Sequence, residues 1–410
     1  MIDYERFELP NGLRVIVHED ASTPMAAVSV QYDVGSRDES PERTGFAHLF
    51  EHLMFGGTAA APSYDDPLQL AGGENNAFTN NDLTNFHVSL PAVNLETALW
   101  LEADRMVNLN IDAAVLDTQR RVVVEEFKET CLNEPYGDAW HHLSALAYER
   151  HPYRWPTIGL TPDHIAEASL DDVRAFYERY YHPGNAILAV AGDVRVEAVH
   201  RQALRYFGDL PAASAPVRLL PADPPQSAQR RHEVTAHVAL DSLYVTFGMP
   251  ERTHPDFFVL DLLTDVLAEG PSSRLYRRLL KERGLATTID DEAKPREGVD
   301  LEELERAVMS ELRLLSDELI PALELDKVRN KLEASLTFSE VSVVNKAINL
   351  AFYEGIGDLA LVNREAEVYA AVTTADLQRC AQTYLQPERS CVLYYRAEEV
   401  DEPRLPLPTV

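Results

Sequence analysis

The chain has 410 residues, of which 45% are hydrophobic and 25% are charged, and its formal net charge is −30. This length predicts two or three domains, and a negative field of this size argues against a nucleic-acid partner. No apolar run reaches the ~20 residues of a membrane-spanning helix, so no membrane partner is expected. The start of the chain lacks the regions of a signal peptide, which favours a cytoplasmic location, although a trimmed periplasmic precursor would look the same.

Alternating apolar residues bounded by turn residues predict the strands, and apolar residues at helical spacing predict the helices. Asp112 is a candidate N-cap, and the three scattered cysteines are expected to be reduced. In chain order, the predicted elements are a hairpin over 7–17, a strand over 26–34, a helix through His48 that ends at Gly56-Gly57, a hairpin over 76–90, a helix over 95–107, a helix after Asp112, a loop over 151–159, a helix over 171–181 and a strand over 186–191.

The second half of the chain repeats features of the first. The stretch DDVRAFYERYYHPGNAILAVAGDV from Asp171 resembles ADLQRCAQTYLQPERSCVLYYRAEEV from Ala375, each with helix, tyrosine, proline and strand in the same order. A duplicated domain explains this order, and a chance match of two helix–strand units is the alternative. The Pro- and Ala-rich stretch 212–226 is then the predicted linker between a domain over 1–211 and a domain over 227–410.

One cluster carries the clearest chemistry. His48, Glu51 and His52 form an H-x-x-E-H pattern, the inverzincin order, and helical spacing places them on one face. Two neutral imidazoles can hold Zn²⁺, and the carboxylate between them can take a proton from a water that the metal activates. The alternative is a pair of helical histidines that flank an acid by chance.

A second carboxylate and a short strand extend this interpretation. Glu126 lies three and four residues after two valines, so we expect it on the apolar side of its helix, where a carboxylate needs a nearby cation. Two histidines and one glutamate would leave the fourth metal position to water, as in hydrolytic sites. The stretch GGENNAFT, residues 72–79, is either a hairpin entry or an edge strand that pairs with an extended peptide.

With these residues in view, the chain resembles the pitrilysin/insulinase family of zinc peptidases, particularly its short bacterial and mitochondrial-processing-like members. The shared stretches are GFAHLFEHLMFGGT, GGENNAFT, QRRVVVEEF, HPYRWPTIG, YYHPGNAILAVAGDV and GPSSRLYRRLLKERGLA. The resemblance implies an α+β fold of two homologous domains, each a mostly antiparallel sheet with helices on one face, which together form half of a clam-shell. It also implies that one zinc is bound by His48, His52 and Glu126, that Glu51 is the catalytic base, and that Asn76, Ala77 and Phe78 lie on the substrate-binding edge strand.

Three departures from the family pattern qualify this interpretation. Gln119 stands where many relatives carry a second glutamate, and the segment from Ile289 to Glu292 is shorter than in the family. Leu280 and Thr287 occupy the positions of an Arg and a Tyr, spaced R-x6-Y, that bind the substrate backbone and stabilise the tetrahedral intermediate in active relatives. Because neither residue replaces them, the resemblance implies a heterodimer with a homologous zinc-less subunit that carries R-x6-Y.

The leading hypothesis is therefore a zinc metalloendopeptidase subunit that hydrolyses peptides or unfolded segments in an enclosed chamber. Two other classes stay open. One is a non-catalytic scaffold or core subunit with a vestigial metal site, and the other is a metal module that hydrolyses something other than peptides.

Overall fold

The computed structural model describes residues 1–398, and those residues form two sheets with helices packed against them. The strands are β1 Glu5–Glu8, β2 Arg14–Glu19, β3 Met25–Tyr32, β4 Glu74–Thr79, β5 Thr84–Pro91, β6 Ala186–Gly192, β7 Arg230–Ala236, β8 Ser242–Phe247, β9 Ala286–Ile289, β10 Ala293–Pro295 and β11 Ser390–Ala397.

The helices of the first half follow or precede the strands that they cover. They are α1 Phe46–Leu53, α2 Asp65–Leu70, α3 Leu95–Asn108, α4 Ala113–Phe127, α5 Ala139–Ala147, α6 Pro162–Ala166, α7 Leu170–Tyr180 and α8 Val196–Phe207. Those of the second half are α9 Pro255–Leu267, α10 Leu301–Asp317, α11 Ala322–Ser339, α12 Val343–Gly355, α13 Glu365–Ala371 and α14 Thr374–Tyr384, and π-helical turns span Lys128–Asn133 and Tyr276–Glu282.

The first sheet has six strands in the order β1-β2-β6-β3-β5-β4, and all of its pairings are antiparallel except β2 with β6. The predicted hairpins and strands of this half are all present. The central strand β6 is buried along its whole length, because helices cover both faces of the sheet. Helices of the first half pack on one face, and α12 from the second half packs across β3 and β6.

The second sheet has five strands in the order β7-β11-β8-β10-β9, and its parallel pair β7–β11 matches the parallel pair β2–β6. The α+β class and the two related units are thus confirmed. Between them, residues 208–229 form no helix or strand, and the domain boundaries at 211 and 227 stay a prediction. The end of the predicted second domain, residues 399–410, lies outside the described part of the chain.

The shortened segment after Ile289 has a structural consequence. The hairpin β9–β10 consists of only four and three residues, and β10 pairs with β8 at one position, Ala293 opposite Leu243. In the first sheet, the corresponding pair β5–β3 is matched over eight residues. Among residues 1–398, no helix has the length and apolarity needed to cross a bilayer.

An ion pair joins α12 to the first sheet. The Lys346 ammonium donates to the Asp20 carboxylate just after β2, and both side chains are largely buried. This hydrogen bond holds the pKa of Asp20 well below its usual range. A carboxylate with a lowered native pKa contributes stability above its unfolded pKa of about 3.9, and that contribution is lost as the pH falls toward the native value.

We therefore expect Asp20→Asn to lower the free energy of unfolding at pH 7 by about 1–3 kcal/mol, since Lys346 loses its charged partner. Below about pH 4 the wild type should lose more stability than this variant. Urea unfolding at pH 7, 4 and 3 measures both effects. Asp117→Asn, which breaks an exposed pair with Arg121, is the matched control and should change little. Parallel pH profiles for the wild type and Asp20→Asn would contradict the assignment.

Candidate metal centre

The helix α1 presents one apolar face and one polar face. Phe46, Leu49, Phe50 and Leu53 are buried in the core of the first unit, whereas His48, Glu51 and His52 are only partly buried. The helix begins after Gly45, whose φ of 88° lies in the left-handed region that favours glycine. Burial of one face therefore fixes the direction in which the H-x-x-E-H side chains point.

A buried carboxylate caps this helix, and sequence reasoning did not find it. Glu39 accepts hydrogen bonds from the backbone N–H of Gly45 at 2.9 Å and of Ala47 at 2.8 Å, which takes the place of a side-chain N-cap. Burial raises the pKa of Glu39 to about 8, and the two N–H donors oppose that rise. Six residues separate Glu39 from the helix start, so neither capping spacing nor periodicity indicates its role.

The second contributing helix, α4, begins at the predicted N-cap, because Asp112 accepts hydrogen bonds from two backbone N–H groups of the first turn. Val123 is buried against the core, but Val122 is 44% exposed. Glu126 thus lies at the margin of the apolar face rather than within it, with 38% of its side chain exposed. The packing of α4 on α1 directs this carboxylate toward the two histidines.

The structure brings the three predicted metal ligands together. The Nε2 atoms of His48 and His52 are 3.2 Å apart, and carboxylate oxygens of Glu126 lie 3.5 Å and 3.3 Å from them respectively. A tetrahedral zinc ion with bonds of about 2.0–2.1 Å separates its ligand atoms by about 3.3–3.4 Å. The two Nε2 atoms therefore have the spacing of two corners of such a site, and each faces a different oxygen of the Glu126 carboxylate at a similar distance. Two imidazole nitrogens and a carboxylate oxygen are also donor types that suit zinc.

The electrostatics of the cluster favour the metal-binding forms of His48 and Glu126. Burial lowers the pKa of His48, which favours the neutral imidazole. The hydrogen bond from His52 lowers the pKa of Glu126, so its carboxylate is ionised. Without a proton or a cation between them, lone pairs of all three side chains would face one another at about 3.3 Å, which is unfavourable.

The remaining predicted site residues lie around this cluster. Glu51 is partly buried on the same helix, and its negative charge adds to the effect of burial in raising the pKa of the Tyr181 hydroxyl. Asn76, Ala77 and Phe78 are in β4, one of the two edge strands of the first sheet, and β4 contacts α1. Within residues 1–398, β4 pairs only with β5, so its other edge is open.

The positions of the expected Arg and Tyr are occupied by residues with other contacts. Leu280 is in the π-helical turn and packs against the core of the second unit. Thr287 is exposed in β9, and its hydroxyl donates to the carbonyl oxygen of Lys294 at 3.3 Å. The cysteines offer no alternative ligands, because Cys131, Cys380 and Cys391 are buried and none belongs to the metal-competent group found among the described residues.

Comparison with known proteins agrees with this geometry. A family model described as insulinase (peptidase family M16) matches residues 14–159, and one described as the peptidase M16 inactive domain matches residues 167–332. The zinc protease PqqE of Helicobacter pylori is 30% identical over 412 aligned residues, which cover 96% of this chain and 93% of that protein. This chain belongs to the insulinase family, peptidase family M16.

Two further similarities fit the M16 assignment. The crystal structure of a protease from Helicobacter pylori superposes with a TM-score of 0.89 at 29% identity, covering 97% of this chain and 100% of that one. A probable mitochondrial-processing peptidase subunit beta of Arabidopsis thaliana is 28% identical over 63% of this chain and 49% of that protein. Residues 167–332, which the inactive-domain model matches, contain no metal-competent group.

The convergence of three ligand atoms predicts a clear result for Glu126→Gln. Loss of a residue that only hydrogen-bonds to a metal ligand weakens metal affinity about 10–100-fold. Loss of the ligand itself should therefore weaken it by at least about 100-fold. Competition with a fluorescent zinc chelator measures the affinity. Glu125→Gln is the matched control, because this adjacent carboxylate is exposed and pairs with Lys128. Equal affinities of the two variants would contradict the ligand assignment.

Proposed function

We propose that this chain is the zinc-bearing subunit of a metalloendopeptidase that hydrolyses peptides or unfolded segments. The observation that carries the proposal is the meeting of His48, His52 and Glu126 at zinc-ligand spacing, with Glu51 on the same helix. The names of the relatives support the same chemistry, since the Helicobacter pylori protein is a zinc protease.

A zinc ion held by these three residues supplies Lewis acidity, which polarises a peptide carbonyl and lowers the pKa of water. The chain's own contribution to proton transfer is Glu51. Its carboxylate takes the proton of the attacking water and returns it to the nitrogen of the leaving amine, as a general base and then a general acid. Because Glu51 is on the α1 turn between the two histidines, one rigid helix positions both functions.

The open edge of β4 fits the substrate. An extended peptide can add to this edge through backbone hydrogen bonds, which accept any sequence, while side-chain contacts such as those of Phe78 add selectivity. The strand β4 contacts the helix that carries the histidines, so a peptide paired with β4 would run near them. This arrangement favours a peptide in extended form over a folded protein.

The proposed enzyme needs a partner. Leu280 has no donor group, and the hydroxyl of Thr287 is directed to a backbone carbonyl. A homodimer would not supply the missing Arg and Tyr, because every copy carries the same two residues. We therefore propose a heterodimer with a homologous zinc-less subunit that carries R-x6-Y, the two closing around the substrate in an enclosed chamber. The Arabidopsis relative, named a subunit, is consistent with such pairing.

The role of Glu51 is tested by Glu51→Gln. The amide cannot take a proton, so the rate of hydrolysis of a fluorogenic peptide should fall about 10²–10⁴-fold. Zinc content should stay the same, because Glu51 is not one of the three converging ligands. Elemental analysis of the same sample gives the zinc per chain. An active Glu51→Gln enzyme would contradict the assignment of the base.

The partner requirement is tested by assaying the chain alone and together with a zinc-less homologue that carries R-x6-Y. Loss of one oxyanion donor costs about 10²–10³ in rate, so the pair should exceed the isolated chain by at least that factor. A partner in which the Arg and Tyr are replaced by Leu and Thr is the matched control. Full activity of the isolated chain would contradict the heterodimer, and purification without stoichiometric zinc would favour the scaffold alternative.

A further inference from the structure

The stretch between the two related units contributes one arginine to the loop that precedes α1. We propose that this residue, Arg218, is a positioning residue for the candidate zinc site. It holds residues 33–39, the hub loop, which lies between the start of α1 and the end of the edge strand β4. The effect on catalysis rests on the proposed function, whereas the effects on α1 and on zinc affinity do not.

Arg218 binds the hub loop through all three nitrogen atoms of its guanidinium. Nε donates to the Asp38 carboxylate at 2.5 Å, Nη1 donates to the Asp33 carboxylate at 2.7 Å, and Nη2 donates to the backbone carbonyl oxygen of Asp33. Residues 208–229, all of which the structure describes, form no helix or strand, so side-chain contacts fix this stretch against the hub loop. A planar guanidinium can make these bonds at once, and a single ammonium group cannot.

The buried Asp38 carboxylate depends on this arginine. Its side chain is only 2% exposed, and Arg218 is closer to it than Arg37, whose Nε lies 3.8 Å away. Burial raises the pKa of Asp38, and the hydrogen bond from Arg218 opposes that rise. Removal of one partner of a buried ion pair leaves an uncompensated charge, so the remaining side chain moves toward water or takes up a proton. Loss of Arg218 should therefore displace the hub loop at Asp38.

The hub loop ends in the cap of α1. Asp38 is followed directly by Glu39, whose carboxylate accepts hydrogen bonds from the backbone N–H groups of Gly45 and Ala47. His48 follows Ala47 in the first turn of the helix. A displacement of Asp38 is thus passed through one peptide bond to the cap, and through the cap to the turn that carries the first histidine.

The same loop is bonded to the turn that follows β4. The backbone N–H of Arg37 donates to the carbonyl oxygen of Asn81 at 2.9 Å, and its guanidinium donates to Asp82 at 2.8 Å. At Gly35, an added Cβ would lie only 2.4 Å from the carbonyl oxygen of Asn80, so the two loops are in close backbone contact. Because the hub loop touches both elements, it sets the position of α1 relative to a peptide paired with β4.

Hydrogen exchange of the full-length chain without zinc tests the first step. Arg218→Gln should speed the exchange of the amides of Gly45 and Ala47, since a displaced cap no longer holds them. Arg230→Gln is the matched control and should leave these two amides unchanged. Arg230 is 18% exposed against 17% for Arg218, and it likewise donates to backbone carbonyls and to a carboxylate, that of Glu149, away from the hub loop.

Zinc affinity, measured by competition with a fluorescent chelator, tests the second step. Loss of a residue that supports metal ligands costs about 10–100-fold in affinity, so Arg218→Gln should bind zinc at least about tenfold more weakly than Arg230→Gln. Asp38→Asn removes the buried charge that Arg218 compensates. The substitution of Arg218 should therefore cost less zinc affinity in the Asp38→Asn background than in the parent, which shows that the two residues act together.

Steady-state kinetics of the enzyme assayed with its partner test the effect on catalysis. In Arg218→Gln, kcat should fall by about tenfold or more, because Glu51 is displaced from its working position. KM should stay close to the parental value, because β4 keeps its pairing with β5 and still offers its open edge. If the parent itself shows no turnover, the proposed function fails, and the exchange and zinc measurements still decide the role of Arg218.

Equal α1 exchange and equal zinc affinity in Arg218→Gln and Arg230→Gln would overturn the proposal, because Arg218 would then only join two parts of the chain. If Arg218→Gln does not fold, Arg218→Lys replaces it, with Arg230→Lys as the control. The lysine keeps the charge but loses the fork, so zinc binding should weaken by about threefold or more. Equal zinc affinities of the two lysine variants would overturn the proposal in the same way.

Discussion

The contact between α1 and α4 is the constraint on which the metal centre depends. Two histidines on one helix can be specified by spacing alone, but the third candidate ligand comes from a helix that begins 61 residues after His52. Both helices bury apolar faces in the same core, and this packing sets the 3.3–3.5 Å separations between Glu126 and the histidines. Glu39 accepts hydrogen bonds from the first backbone N–H groups of α1 and so fixes where the helix begins. The position of the histidines is therefore set by this cap and by the packing of the apolar face of α1.

Much of this site follows from local rules that a single sequence expresses. The i, i+3, i+4 spacing gives the shared face of α1, Asp112 gives the start of α4, and alternation with turn residues gives the β4–β5 hairpin. Glu126 was identified because a carboxylate near apolar neighbours needs a cation. Glu126 is nevertheless less buried than its spacing from the valines predicts, since Val122 faces solvent and Glu126 lies at the margin of the core. The metal roles themselves stay predictions until a metal is measured.

Other features depend on long-range packing and leave no local pattern. Glu39 has no capping spacing to the helix that it caps, because the chain between them loops away and returns. Helix α12 covers the second face of the first sheet, and its residue Lys346 lies more than 300 positions after Asp20, to which it is bonded. The sequence indicates that the segment after Ile289 is short, but only the strand pairing shows that, among the described residues, β8 then pairs with β10 at a single position.

The two related units of the duplicated architecture differ in their candidate chemistry. The first unit places the candidate zinc ligands and Glu51 beside an open strand edge, and the described residues of the second contain no metal-competent group. The central prediction is that His48, His52 and Glu126 coordinate zinc. Zinc-edge X-ray absorption of the purified chain tests this most directly: we expect a first shell of nitrogen and oxygen only, at about 2.0–2.1 Å, with the scattering of two imidazoles. A sulfur shell at about 2.3 Å, or scattering from no imidazole, would contradict the account.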